Sequence, residues 1–123
     1  MIHTTQGSVI KAYKTLDKLC GEKMPVRLAY SLFSMRKSME SSYAFQMEKE
    51  QEIIKEHVSG FDGETLEFKT DKDKEDFVAE MTELAQMEVD VNAEIVHIPL
   101  SMDMALTADD IGNLTGFVEF DEE

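Results

Sequence analysis

Several residue types are scarce in this sequence of 123 residues, and each scarcity excludes a class of protein. The single cysteine, Cys20, allows neither an internal disulfide framework nor a cysteine zinc cluster. No apolar run approaches the roughly 18 residues that a membrane-spanning helix needs. The start, MIHTTQGS, lacks the charged and apolar regions of a secretory signal. We therefore expect a soluble, intracellular protein with no membrane partner.

Basic residues are scarce after the first third of the chain. Residues 1–40 carry seven Lys or Arg against three Asp or Glu, whereas residues 41–123 carry five against 23. No Lys or Arg follows Lys74, although 14 acidic residues do. Direct binding to nucleic acid needs clustered cations and is not expected. The net charge of −14 either keeps the protein soluble or forms an acidic face for a basic partner.

The sequence GSVIKAYKTLDKLCG, residues 7–21, predicts a first helix. Ser8 or Thr5 is a suitable cap for its start, and Gly21 is a suitable stop because glycine adopts the left-handed conformation at helix ends. Apolar residues recur at spacings of three and four and form one stripe. This stripe consists of Val9, Ile10, Tyr13, Leu16, Leu19 and Cys20.

A second and longer helix is predicted over about residues 25–58. Pro25 suits the first turn of a helix, and neither glycine nor proline interrupts the pattern until Gly60. At ~1.5 Å per residue this helix would be about 50 Å long. We expect the first two helices to form an antiparallel hairpin in which the second overhangs the first.

The rest of the chain alternates between strand and helix patterns. TLEFKT predicts a short strand, residues 71–87 predict a third helix, and the alternating VDVNAEIVHI predicts a second strand. Thr107 and Asp110 form a capping box that begins a short last helix. Phe117, Val118 and Phe120 are expected anchors, followed by a frayed tail, DEE. The fold class is therefore α+β, mostly helical, with a small two-stranded sheet, as a single domain over residues 1–123.

This order of elements resembles small proteins of unknown function encoded in phages and prophages of Gram-positive bacteria. The resemblance rests on KMPVRLAYSL, on FVAEMTELAQMEVDVNAEIVHIPL and on LTADDIGNL with its apolar, acidic ending. It differs in SMESSYAFQM, where those proteins usually carry more lysine in the long helix. The resemblance implies a phage origin, with the host cytoplasm or the virion as the location. It implies no reaction and no active site.

The overhanging part of the long helix is a candidate interface. An apolar helix face without a partner in its own chain usually meets another protein. Methionine is the default core filler, but it also serves adaptable binding surfaces. We expect self-association or a protein partner at this face. Its candidate residues are Tyr43, Phe45, Met47, Ile53 and Ile54.

A second candidate surface is acidic and lies in the last third of the chain. Residues 90, 92 and 94 alternate with apolar ones, so their side chains are expected to project from the outer face of a strand. Carboxylates at a helix N-terminus are kept ionised by the helix dipole. The candidate residues of this surface are Asp90, Glu94, Asp109, Asp110 and Glu119.

Residues suited to catalysis are few. Glu80 and Glu83 form an E-x-x-E pair of the kind that holds magnesium in all-helical nucleotide pyrophosphohydrolases, with Glu48, Glu50, Glu52 and Glu56 as acidic residues that could face it. His3, His57 and His97 are isolated in sequence, and no cofactor or metal ligand set is predicted.

Three functions follow from these observations. The first is a non-enzymatic phage protein that binds other proteins, in virion assembly or host control. The second is an acidic nucleic-acid mimic that inhibits a host defence or DNA-binding enzyme through a basic site. The third is a metal-dependent nucleotide hydrolase.

Overall fold

The structure, a computed structural model, describes residues 1–121. Within this range it contains five helices and six short strands, which confirms the mostly helical α+β class. The helices are α1 (Gln6–Leu19), α2 (Val26–Ser38), α3 (Glu40–His57), α4 (Asp71–Gln86) and α5 (Ala108–Leu114). The strands are β1 (Ile2–Thr5), β2 (Val58–Asp62), β3 (Thr65–Phe68), β4 (Glu88–Val91), β5 (Val96–Pro99) and β6 (Val118–Asp121). Glu122 and Glu123 of the predicted tail lie outside the described residues.

Helix α1 lies at the centre of the fold and contacts the other four helices. The predicted cap is confirmed, because the Thr5 side chain accepts a hydrogen bond from the Ser8 amide. Val9, Leu16 and Leu19 of the predicted stripe are fully buried. A Cβ atom on Gly7 would lie 3.1 Å from the carbonyl oxygen of Ala85, so glycine permits the close crossing of α1 and α4.

The prediction of one helix over residues 25–58 is wrong, because the helix breaks at Met39. The Ser38 hydroxyl donates to the carbonyl of Met35, which would otherwise accept the Met39 amide. That amide instead bonds to the carbonyl of Arg36 at 3.0 Å, a tighter turn than an α-helix. Met39 itself is fully buried in the core. The break lets α2 and α3 each pack against α1, so no straight 50 Å helix overhangs the fold.

The prediction of one two-stranded sheet is also wrong, because the described residues form three strand pairs. β1 pairs with β4 and β2 pairs with β3, both antiparallel, whereas β5 and β6 are parallel. The predicted strand VDVNAEIVHI is divided between β4 and β5. The inward side changes across this interruption: Val91 is buried, Ile95 is exposed, and Val96 and Ile98 are buried.

Helices α3 and α4 lie side by side in opposite directions because the β2–β3 hairpin connects them. Gly63 occupies the turn of this hairpin with φ of +64°, a conformation that favours glycine. Phe68 of β3 packs against Phe77 of α4 with ring centroids 5.2 Å apart. Thr70 caps α4 by accepting from the Asp73 amide. The hairpin thus returns the chain along α3 and creates a groove between the two helices.

Candidate protein interaction groove

The groove between α3 and α4 has a volume of about 800 Å³. Each helix contributes both apolar and charged side chains to it. Its lining comprises Phe45, Lys49, Glu52, Ile53 and Glu56 from α3, Ala79, Glu80, Thr82, Glu83, Leu84 and Gln86 from α4, and the following Met87. We call this surface the α3/α4 groove.

Apolar side chains provide contact area in the α3/α4 groove. Ile53 and Leu84 are each 8% exposed and join the two helices. Phe45 and Met87 are each 39% exposed, so a large part of each side chain is available to a partner. A phenylalanine ring and a flexible thioether are both side chains that anchor protein interfaces.

Acidic side chains line the α3/α4 groove on both helices. Glu52 and Glu56 are one helical turn apart on α3, and Glu80 and Glu83 are three residues apart on α4. Lys49 is the single basic residue in this lining, and its Nζ lies 3.1 Å from Glu52. The lining therefore carries a clear excess of negative charge around its apolar residues.

His57 joins the end of α3 to α4 beside the α3/α4 groove. This buried imidazole bonds through Nδ1 to Asp73 at 2.9 Å and through Nε2 to Glu80 at 2.6 Å. The hydrogen bond to Asp73 raises the pKa of His57, burial opposes this, and Glu80 adds to the increase. The same contact lowers the pKa of Asp73. His57 is therefore best described as an imidazolium that ties the two helices together through carboxylates.

Within residues 1–121, two groups of side chains have donor atoms close enough for one metal ion. Glu56, His57 and Glu80 form one group, and His97, Glu119 and Asp121 form the other. In the first group both nitrogens of His57 already bond to carboxylates, so a metal would displace a hydrogen bond and a proton. In the second group all three residues are exposed, and His97 Nδ1 lies 2.9 Å from Asp121.

The five residues predicted as an overhanging interface have different surroundings. Tyr43 stacks on Tyr13 of α1 with ring centroids 4.1 Å apart, and Met47 and Ile54 are half-buried. Ile53 is buried, which corrects the expectation that it is exposed, because α4 covers this side of α3. Phe45 is the most exposed of the five. Phe45 and Ile53 belong to the α3/α4 groove.

The predicted acidic residues do not form one continuous set. Asp90 is exposed on β4 and bonds to His3, and the exposed Glu94 follows that strand. Asp109 is exposed, as is Glu119, which lies 3.6 Å from His97.

Asp110 is a structural residue rather than a free surface charge, which corrects the prediction. It is buried, and Lys18 Nζ donates to it at 2.8 Å. It also completes the predicted capping box with Thr107. The Lys18 contact, with the Thr107 amide second, lowers the pKa of Asp110.

Neither the position of His57 between α3 and α4 nor the exposed surface of α2 was predicted from the sequence. Nothing near His57 in sequence indicated its partners, because Asp73 and Glu80 come from another helix. The outer face of α2 had a readable signal, because Val26, Tyr30 and Phe33 have helical spacing. All three are exposed.

No protein-family model, curated protein or solved structure matches the chain in our comparisons. Among the helices of residues 1–121, none combines the length and apolarity that a bilayer crossing requires. The α3/α4 groove, with its exposed anchors and its charge, is therefore the basis for a functional proposal.

Proposed function

We propose that this chain is a non-enzymatic protein interaction protein that binds its partner in the α3/α4 groove. The main observation in favour of this proposal is the combination of two half-exposed apolar anchors, Phe45 and Met87, with an acidic lining. Exposed apolar side chains rimmed by polar ones are typical of binding surfaces. The groove lies between two helices, a common place for an amphipathic helix to bind.

The partner that this groove fits is a basic amphipathic helix. Apolar side chains at helical spacing would contact Phe45 and Met87, while Lys or Arg on the flanks would face Glu52, Glu56 and Glu83. From Phe45 to Glu56 the groove follows α3 for about 16 Å, at ~1.5 Å per residue. This length accommodates about three turns of a bound helix.

The phage origin implied by the sequence resemblance belongs to the same proposal. A protein of this kind would act in virion assembly or in host control, in the host cytoplasm or associated with the virion. Either role can be carried out through a specific protein contact.

A binding titration tests the groove. The probe is a designed lysine–leucine amphipathic helix with a fluorescent label, and its anisotropy is followed as full-length protein is added. We expect saturable binding, with Phe45→Glu weakening it about tenfold or more, as is usual for an apolar anchor that becomes buried in the complex. Val78→Glu is the matched control, because Val78 is an exposed α4 residue absent from the groove lining.

The two substitutions distinguish groove binding from general charge attraction. Each adds one negative charge to an already acidic protein. If the peptide binds only through long-range attraction, both variants should bind it more tightly. If it occupies the groove, Phe45→Glu weakens binding and Val78→Glu does not. Equal behaviour of the two variants would overturn the proposal.

The hydrolase alternative also has an observation in its favour. Glu52 and Glu56 of α3 line the same groove as the E-x-x-E pair Glu80 and Glu83. Paired carboxylates from facing helices are typical of magnesium sites. Glu80 is, however, already bonded to His57. An assay of nucleotide turnover with added magnesium separates this alternative from protein binding.

A further inference from the structure

Helix α2 presents an apolar stripe on its outer face. Val26, Tyr30 and Phe33 are spaced by four and three residues and are 84%, 71% and 45% exposed. The opposite face of α2 is held in the core by Leu28 and Leu32. The stripe is therefore fixed in place and largely exposed, with Tyr30 also bordering a depression that includes residues 92–97.

The charge of α2 is opposite to that of the chain as a whole. Residues 23–39 contain four basic residues and no acidic one, in a protein with a net charge of −14. Arg36 bonds to Asp17 at 2.8 Å and lies 5.7 Å from the Phe33 ring centroid. Lys37 lies 6.0 Å from the same centroid, and Arg27 is exposed beside Tyr30 and Val26. Helix α2 is thus basic and amphipathic, and its outer face carries the exposed apolar stripe.

We propose that the occupant of the α3/α4 groove is the outer face of α2 from a second copy of this chain. This inference rests on the proposed function and names its partner. The groove takes a basic amphipathic helix, and α2 is one. From Val26 to Phe33 the stripe covers about 10 Å, at ~1.5 Å per residue, and fits within the length of the groove.

Charge complementarity favours a second copy over an unrelated partner. Arg27 and Lys37 flank the stripe, and Glu52, Glu56 and Glu83 line the groove. Docking brings these opposite charges together and covers Tyr30, Phe33, Phe45 and Met87. The negative charge of the groove also disfavours contact between two grooves, because two acidic linings repel each other.

The contact joins two different surfaces, α2 of one copy and the groove of another. When two copies make it reciprocally, they form a closed, isologous dimer. When each copy makes it in one direction only, the contact is heterologous and gives a ring or an open chain. In either arrangement, a copy with a damaged α2 can still bind a copy with a damaged groove, because the intact groove of the first accepts the intact α2 of the second. An interface formed by α3 against α3 would not show this behaviour.

Sedimentation of full-length variants tests this consequence. Wild-type protein is expected to exceed the monomer mass at up to about 100 µM, within the range where weak contacts form. Tyr30→Glu and Phe45→Glu should each return the protein to the monomer. An equimolar mixture of the two should form a 1:1 complex, because one supplies the groove and the other supplies α2. Arg27→Glu and Met87→Glu form a second pair with the same expectation.

Phe61→Glu is the matched control for these substitutions. Phe61 is 67% exposed on β2 and belongs to neither surface, so its variant should associate like wild type. Far-ultraviolet circular dichroism of each variant establishes that the helices are intact.

Three results overturn the inference. The first is a wild-type protein that stays monomeric throughout the concentration range. The second is a mixture of variants that stays monomeric. The third is association that survives Tyr30→Glu. If the lysine–leucine helix still binds the groove in any of these cases, the proposed function stands and only the identity of the partner is wrong. If that peptide also fails to bind, both proposals fail.

Discussion

Glu80 accepts a hydrogen bond from Nε2 of His57 at 2.6 Å, although 23 positions separate the two residues and they belong to different helices. On the other side of the ring, Nδ1 bonds to Asp73 at 2.9 Å. One buried imidazolium therefore joins the last residue of α3 to two places on α4. These two hydrogen bonds help to hold together the helices that form the groove.

The folding stability is expected to depend on pH through His57. Its folded-state pKa is raised above 6.5, mainly by the Asp73 hydrogen bond. Its stabilisation is therefore complete below pH 6.5 and is lost as the pH rises through the folded-state pKa. Urea unfolding above pH 6.5 should show a falling free energy of unfolding, and His57→Gln should flatten this dependence.

His97→Gln is the control for that measurement, because His97 is exposed on β5. A slope that persists in His57→Gln would contradict the role given to this residue.

Asp73 affects stability at acidic pH. Its pKa is lowered below 3.8, so its contribution to the free energy of unfolding is lost as the pH falls through its folded-state pKa.

Asp110→Asn should lower the melting temperature, whereas the neighbouring Asp109→Asn should leave it nearly unchanged. Asp110 is buried, caps α5 and bonds to Lys18, while Asp109 is exposed. Because the pKa of Asp110 is lowered below 3.8, its advantage over Asn should disappear as the pH falls through that pKa. Thermal unfolding of both variants at neutral and acidic pH checks this, and equal melting temperatures at neutral pH would count against a structural role.

Metal-dependent catalysis is not expected from the groove. The hydrogen bond between Nε2 of His57 and the Glu80 carboxylate already occupies two of the atoms that would bind a metal, which disfavours a metal at this position. With saturating magnesium or manganese and a panel of nucleotides, we expect neither binding heat nor turnover. Hydrolysis that disappears in Glu80→Gln and Glu83→Gln would support the hydrolase alternative instead.

The acidic surface around β4 should not contribute to binding of the basic helix. Asp90 and Glu94 are exposed but do not line the α3/α4 groove, and Asp90 bonds to His3. Replacing them with Asn and Gln should change peptide affinity by less than about twofold at moderate salt, where distant exposed charges are screened. The nucleic-acid mimic hypothesis predicts the opposite for a basic host protein. Capture of such a protein that is lost in this double variant would favour the mimic.

The local elements were largely predictable because their signals are local. The stripe of α1, the Thr70 and Thr107 caps and the strand at residues 65–68 all follow from spacing and capping chemistry. The break at Met39 was missed because Ser38, whose hydroxyl bonds to the Met35 carbonyl beside the break, is compatible with a helix. Strands β1 and β6 were missed because four-residue strands depend on distant partners, Val91 for Ile2 and Val96 for Val118.

The candidate site was only partly predictable for a related reason. Phe45 and Ile53 were identified as apolar residues in search of a partner, and Glu80 with Glu83 as a local pair. Only the antiparallel packing of α3 and α4 places them in one groove. Ile53 was expected to be exposed because sequence periodicity gives the face of a residue on its helix but not which other element covers it.

Chemical-shift mapping of the full-length, isotope-labelled protein with the lysine–leucine helix shows directly whether the α3/α4 groove is the binding site. The measurement is made at a protein concentration where the unlabelled protein is monomeric, so that peptide binding is observed alone. We predict that the largest amide shifts lie within residues 45–56 and 79–87, with Phe45 and Met87 among them, and that Phe45→Glu strongly reduces them at the same peptide concentration. Shifts centred on β4 and α5, or spread evenly over the acidic surface, would contradict the assignment of the α3/α4 groove as the binding site.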